Sequence, residues 1–383
     1  MSAGGLGVAV LAPAPALPAV GERVTVHPTA HEAAHAAIVR HVGRVRDLPL
    51  LGLSLVPDTS RARDARFGCP EALPAFASAP CPWFFRERLS FRIARAGAEG
   101  MTLRAVGPSV ALLSGMELEF SLHLVFGAVD HVRGRVTGVR RPYIDIAWVD
   151  PPRALHRVLS DYLLATDATL TPALLRATGL AVGNIQQAVT YDYATPADHE
   201  EVLALRLRAH QAQGHLGAAS VADLRSPFDA HARHLTCRFG GRIVGYVRVI
   251  FVDGEPAKSQ YVSWGGHEVP RWLWDAGFVE AGAGAMDPDF QRAGLFLPLM
   301  AHAVRVAVQS GHRYVLGACD DELLGMYRDM GFTVLETRLV EPKPGWRFRS
   351  HLIVLDADRL AREAPATPTI ATVTSAIDFA AAA

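Results

Sequence analysis

Two short stretches of the chain combine residue types that could do chemistry at the spacing that chemistry needs. The first is His31-Glu32-Ala33-Ala34-His35, a literal H-E-x-x-H, with His41 six residues beyond. On a helix, His31 and His35 would stand one turn apart and could share a zinc ion. Glu32 would then take a proton from the metal-bound water, the arrangement of a zinc peptidase. With 16 histidines in 383 residues, however, the pattern arises by chance on the order of 0.03 times per chain. Ile38 also stands where the longer zinc pattern needs a glycine, and zinc is the weaker reading. A helix over 29–40 would support it, whereas a strand through 38–45 would retire it.

The second stretch is Gln291-Arg292-Ala293-Gly294, where the strand signal FVEAGAGAMD gives way to the helix signal FLPLMAHAVRVAVQSG. At such a junction the first peptide N–H groups of the helix lack partners and the positive end of its dipole points outward. That turn suits a phosphate. Gly294 allows close approach of a pyrophosphate, and Arg292 adds charge.

The bulk of the sequence limits what these residues can serve. At 383 residues, half of them hydrophobic and a fifth charged, the chain is globular and long enough for two or three domains. Lysine plus arginine equals aspartate plus glutamate at 38 each, so no net field favours nucleic acid or an anionic membrane. Cys69, Cys81, Cys237 and Cys319 form no C-x-x-C pair, so neither a zinc ribbon nor a disulfide framework is expected. The uncharged stretch from Gly4 to Val20 has no basic start and is broken by Pro13, Pro15 and Pro18. It reads as a flexible leader over 1–20 on a cytoplasmic protein without a transmembrane segment.

The elements that must position the chemistry change character along the chain. Over 21–60, GERVTV, AAIVRHVGRV and LLGLSLVPD read as short strands, followed by a loop from Asp58 to about Pro82. From Trp83, five strand signals separated by glycine-containing turns predict a small antiparallel barrel over 80–165. It ends in the amphipathic helix PPRALHRVLSDYLLAT. Gly21 opens G-x-x-V-x-V and Gly115 opens G-x-x-L-x-F, and each lies 36 residues before a proline, Pro57 and Pro151. A partial second copy of one half-barrel explains this economically. From Ala188, strands alternate with helices, which predicts a mixed α/β domain over 188–357. The Ala/Thr/Pro-rich tail over 361–383 reads as unordered.

Residues 188–357 resemble the GNAT N-acyltransferase superfamily, whose Q/R-x-x-G-x-G/A loop holds the pyrophosphate of coenzyme A. Gln291, Arg292, Ala293 and Gly294 fall on that loop, and Phe296 stands in place of its final Gly/Ala. LLGMYRDMGFTVL resembles the superfamily's tyrosine helix, which implies Tyr327 as the acid that protonates the departing thiolate. LRLRAH, SPFDAHARHL, GRIVGYVRV and FVEAGAGAMDPDFQRAGL narrow the resemblance to N-acyl amino acid synthases and acyl-homoserine lactone synthases. Carried over, Asp229, His231, Arg248 and Glu280 line the acceptor side, with Glu280 as base or amine anchor. Ala283 stands where the lactone synthases often have arginine, so the lactone product is not implied.

The barrel over 80–165 resembles a PilZ domain, a receptor for cyclic-di-GMP. Arg88 and Arg92 have the R-x-x-x-R spacing, and Arg61, Arg63 and Arg66 lie in the linker before them. The second PilZ motif has become Arg95, Gly97 and Gly100, without its acid and serine, which counts against the nucleotide. The combined reading is a multidomain N-acyltransferase that moves an acyl group from acyl-CoA or acyl-ACP to a small amine, with a PilZ-like regulatory module. A sensor whose PilZ-like and GNAT-like folds only bind ligands is the alternative from another class.

Overall fold

The computed structural model describes residues 6–9, 22–26, 35–45, 48–55, 65–84, 86–106, 112–213, 220–263, 266–343, 346–362 and 369–375. The chain divides into two compact units, 1–170 with 174–182 and 171–173 with 183–383.

In the first unit, β1 (Leu6–Ala9), β2 (Arg23–Val26), β3 (His35–Val45) and β4 (Leu48–Leu55) form an antiparallel sheet in the order β1-β4-β3-β2. His35 therefore opens a strand and pairs with Val26. Ile38, Val39, Val42 and Val45 favour the pleated backbone over the helix that the alanines would permit. A strand through 38–45 is the outcome that retires the zinc peptidase reading. His31 and Glu32 themselves lie outside the described residues. Among the described residues, no group of three His, Cys, Asp or Glu is placed to hold a metal ion. β1 is a second correction: Leu6–Ala9 pairs with β4 where a flexible leader was expected. The rest of the leader lies outside the described residues.

β5 (Phe67–Gly68), β6 (Ala75–Pro80), β7 (Arg88–Ala96), β8 (Gly100–Ala105), β9 (Glu117–Leu124), β10 (Gly127–Arg140) and β11 (Tyr143–Trp148) follow. The run β7-β6-β9-β10-β11-β8 closes through pairing of β8 with β7, giving a six-stranded antiparallel barrel. Closure leaves no open edge among these six strands. Alternate residues point inward, so Phe91, Ile93, Leu103, Phe120, Leu122, Val136 and Ile146 are buried. β6 lies inside the stretch expected to be a loop. Its inward residues are Ala75, Ala77 and Ala79, too small to make the alternation visible as hydrophobic pattern. Gly134 is required by the packing, because a Cβ there would meet Ile146 Cγ2 at 2.5 Å and the Phe120 ring at 3.1 Å. Gly134→Ala is expected to destabilise the barrel by about 1–3 kcal/mol, visible as a lower denaturant midpoint.

α1 (Arg153–Thr166) packs on β9 and β10 and buries Leu155, Leu159, Tyr162 and Leu163. The Tyr162 hydroxyl donates to the Leu73 carbonyl at 2.6 Å. α2 (Pro172–Ala177) is a short helix that follows. β2-β3-β4 and β9-β10-β11 are both antiparallel meanders.

The second unit contains β12 (Val189–Tyr193), α3 (His199–Ala212), β13 (Ala232–Phe239), β14 (Arg242–Phe251), α4 (Gln260–Ser263) and α5 (Arg271–Ala276). It continues with β15 (Phe278–Met286), α6 (Phe296–Gln309), β16 (Tyr314–Cys319), α7 (Asp321–Asp329), β17 (Thr333–Lys343), β18 (Trp346–Asp356) and α8 (Ala357–Arg362). Seven strands form one sheet in the order β12-β13-β14-β15-β16-β18-β17. β18 was not expected and inserts between β16 and β17, which makes β17 the edge. Gly240 and Gly241 take positive φ, 54° and 84°, at the β13–β14 turn, which glycine does without strain. Residues 369–375 are helical and Val373 is buried, where the tail was expected to be unordered. Residues 376–383 lie outside the described residues. No helix among the described residues is long and apolar enough to cross a membrane.

Candidate active site

The sheet of the second unit parts at its centre. β15 and β16 run parallel and pair only at Phe278–Tyr314, Val279–Val315 and Glu280–Leu316. Beyond that point β15 stays with β14 and β16 stays with β18. A wedge therefore opens between two strands whose facing peptide groups have no ladder partner, and Glu280 stands at its apex.

Glu280 is fully buried. Its carboxylate receives the Ser259 hydroxyl on one oxygen and the Gln260 N–H on the other, the latter at 2.9 Å. Burial raises its pKa from the ordinary value of 4.5 to about 7, against the opposing pull of these donors and of Arg248. A carboxyl tuned to neutral pH can take a proton and return it.

Arg248 is equally buried. Its Nη1 meets Asp229 Oδ1 at 2.5 Å, and its Nη2 donates to the Gln260 side-chain carbonyl. Asp229 is delivered by local sequence. Ser226-Pro227-Phe228-Asp229 is a capping box at the start of the 3₁₀ turn Pro227–His231, in which Asp229 Oδ2 receives the Ser226 N–H at 3.1 Å. The other carboxylate oxygen is left to face Arg248 and, at 3.9 Å, Arg206 from α3. Two buried guanidinium groups thus share one aspartate.

α4 completes the cluster. Tyr261 donates its hydroxyl to the Ala281 carbonyl at 2.7 Å. Gly282 lets α4 approach, because a Cβ there would lie 1.9 Å from Gln260 Nε2 and 2.8 Å from the Tyr261 oxygen. Burial, followed by the charges of Glu280 and Tyr327, raises the Tyr261 phenol well above its ordinary value. Tyr327, on α7, is half-buried; burial raises its phenol too, so it holds its proton at neutral pH. Its ring packs edge-on against Phe296 at 6.2 Å and Phe332 at 5.4 Å between centroids. Phe296, at the first position of α6, also covers Gly284 of β15, with a ring carbon 3.5 Å from where a Cβ would be.

The loop ahead of α6 is shaped by non-standard backbone. Arg292 has φ of 58° and Gly294 of 76°. The Ala293 carbonyl accepts from Ile185 N–H at 3.1 Å, and the Gly294 carbonyl accepts from Gln186 Nε2 at 2.8 Å. The first N–H groups of α6, which follows, have no carbonyl within the helix to accept them. Gln291, Arg292 and Gly294 are exposed, while Ala293 is buried.

The structure therefore brings Asp229, Arg248 and Glu280 into one buried network. It puts Tyr327 within electrostatic reach of it through Tyr261, and it places 291–294 at the mouth of α6. His231 is not part of the network, since its side chain is exposed at the end of the 3₁₀ turn. The histidine that belongs there is His234, whose Nε2 donates to the Asp229 carbonyl at 3.0 Å and whose Nδ1 accepts from the Tyr246 hydroxyl at 2.7 Å. Ser259, Gln260, Tyr261 and Arg206 were also missed. Arg206 lies inside the LRLRAH segment already singled out. The other three form the polar run SQY in a stretch without periodicity.

Residues 201–352, within the second unit, match the family model of the N-acyl amino acid synthase FeeM. Among solved structures, FeeM from uncultured soil microbes is 19% identical, with 44% of this chain and 90% of that chain covered and a TM-score of 0.34. The ribosomal-protein-S18-alanine N-acetyltransferase from Escherichia coli is 15% identical over 44% of this chain and 93% of that chain, with a TM-score of 0.33. The yncA protein from Salmonella typhimurium, solved with its cofactor acetyl-CoA, gives 17% over 44% and 93%, with a TM-score of 0.33. No curated protein matches the chain.

Proposed function

We propose that the second unit transfers an acyl group from an acyl-CoA or acyl-ACP thioester to the amine of a small, amino-acid-like acceptor. The observation that carries the reading is Glu280, a buried carboxyl tuned to about 7 at the point where β15 and β16 part. A thioester laid into the wedge would bring its carbonyl to peptide N–H groups that have no partner in the β15–β16 ladder and could stabilise the oxyanion. An acceptor ammonium must lose a proton before it can attack, and Glu280, or a water beside it, is the base available. The nitrogen adds, the C–S bond breaks, Tyr327 gives its proton to the departing sulfur, and the proton shed by the new amide nitrogen restores the phenol. The Asp229–Arg248 pair holds Gln260, whose backbone N–H holds Glu280, so it positions the base. Residues 291–294 would bind the phosphates of the donor.

The direct test is thiol release from acyl-CoA with and without an amino acid, together with mass spectrometry of the acylated product. Amine-dependent release is expected, and its absence with every acyl length tried would overturn the reading. A thiol with an ordinary pKa of about 8.5 leaves fairly readily unaided, so Tyr327→Phe is expected to lower kcat only about tenfold. Gly294→Ala forces an alanine into left-handed backbone, a strain of roughly 1–2 kcal/mol, and brings its Cβ to 2.8 Å from Asn184 Cγ. Its KM for the thioester should rise about tenfold with kcat little changed, as initial rates would show.

The N-terminal barrel is read as the PilZ-like regulatory module of this enzyme. Its arginines have partners within the barrel. Arg66 donates to Met101 O, Thr102 Oγ1 and Asp145 Oδ1 at 3.1, 3.0 and 2.9 Å. Arg88 donates to Ser78 Oγ, Arg92 to Glu71 and the Pro70 carbonyl, and Arg95 to the Arg66 carbonyl. Groups so engaged support a docking or scaffold role over cyclic-di-GMP capture. Arg61 and Arg63 lie outside the described residues.

A further inference from the structure

β17 and β18 carry a second constellation that the acyl-transfer wedge does not use. Ser350 Oγ lies 2.9 Å from Nε2 of His267, and Nδ1 of the same ring lies 2.9 Å from Glu336 Oε2. Ser350 and His267 are buried, and Glu336 is a quarter exposed. The three belong to one sheet face. In the β17–β18 register Arg338 faces Ser350 and Glu336 faces Leu352, and His267 comes down on them from the segment after α4.

The direction of each hydrogen bond follows from charge. Burial alone would raise the Glu336 carboxyl, but His267, the Glu268 N–H at 3.0 Å and Arg338 outweigh it and hold it below its ordinary value. An ionised Glu336 only accepts, so the proton between them sits on Nδ1. Burial lowers His267 more than Glu336 raises it, which keeps the ring neutral. The lone pair is then on Nε2, and Ser350 O–H donates to it. Nucleophile, base and orienting carboxylate stand in the order that activates a serine. Arg338, the register partner of Ser350 on the neighbouring strand, turns its Nε to Glu336 Oε1 at 3.2 Å and so helps to hold the orienting carboxylate.

We propose that Ser350, His267 and Glu336 form a second acyl-transfer site, at which an activated acyl ester or thioester acylates Ser350 and the acyl group then passes to water. His267 takes the hydroxyl proton as Oγ bonds to the acyl carbon, and the bond to the leaving sulfur or oxygen breaks. The imidazolium returns that proton to the leaving group. Water repeats the sequence, releasing a carboxylic acid and restoring the serine. The proposal is independent of Glu280 and requires no amine.

The serine lies beneath the surface, so a slim reagent is needed. The full chain would be treated with diisopropyl fluorophosphate and mapped by peptide mass spectrometry. One adduct is expected on Ser350, absent in Ser350→Ala and formed at least 100-fold more slowly in His267→Gln. Should His267→Gln fail to fold, Glu336→Gln, at a more exposed position, is expected to slow labelling at least tenfold. Amine-free turnover of p-nitrophenyl acetate and of acetyl-CoA separates an ester from a thioester substrate, and turnover of either supports the site. No Ser350 adduct in the folded chain, labelling unaffected by either substitution, or turnover of neither substrate would overturn it.

Discussion

Glu280→Gln should lower kcat for amine acylation by about 10²–10⁴-fold, the usual worth of a positioned general base, while leaving KM for the thioester nearly unchanged. The amide keeps the shape of the carboxylate and its contact with the Gln260 N–H, but it cannot accept a proton from the acceptor. The pH profile gives a sharper readout. With a folded-state value raised to about 7, the active carboxylate form accumulates as pH rises, so kcat/KM should climb through about 7 and level off above it. In Glu280→Gln that limb should disappear from the residual activity. The same shift acts on stability with a definite sign. Between the ordinary 4.5 and about 7 the unfolded chain releases this proton first. The folded state therefore binds more protons, and stability falls as pH rises through that window. The amide variant should lose that contribution, which denaturant titrations at pH 5 and pH 7.5 would detect. A variant with wild-type kcat at pH 7 would remove Glu280 from the chemistry.

Much of this site was legible in the sequence because its parts sit on elements with strong periodic signals. The strand FVEAGAGAMD ends in a glycine-containing turn before an apolar helix, which located Glu280, Gly294 and the strand–helix junction together. MYRDMGF placed Tyr327 on a helix. What stayed hidden was of two kinds. Ser259, Gln260 and Tyr261 lie on a four-residue helix, too short to show a period, and their role depends on Gly282 of a distant strand. β6 was hidden because three alanines form its inner face, and β18 because strand order is a tertiary property that spacing does not encode. The histidine pattern at 31–35 shows the opposite failure: its residue types matched a chemistry, while the described chain from His35 onward is a strand. His231 and His234 make the same point at finer scale. Three residues apart across the end of a 3₁₀ turn, one faces solvent and the other anchors the Asp229 carbonyl.

Asp229→Ala is expected to cost the second unit roughly 3–5 kcal/mol, the penalty for leaving a buried cation without its partner, and to abolish acyl transfer through loss of the Gln260 and Glu280 geometry. The excess charge explains the size. Arg248 and Arg206 both address Asp229 Oδ1, at 2.5 and 3.9 Å, and the other carboxylate of the network, Glu280, is half protonated near neutral pH. Burial already lowers the Arg206 guanidinium from its ordinary value, and Asp229 is the carboxylate that opposes this. Removing it leaves two guanidinium groups facing each other in a dry site. Arg248→Met should cost less, because Arg206 remains to pair with the aspartate and the methionine refills the volume. The double variant Asp229→Ala/Arg248→Met should then be more stable than Asp229→Ala alone, a coupling that additive surface effects would not produce. Urea midpoints of the four proteins measure it directly. A double variant no more stable than Asp229→Ala would mean that unpaired charge at Arg248 is not what destabilises the single variant, and that Asp229 acts through its cap on the 3₁₀ turn instead.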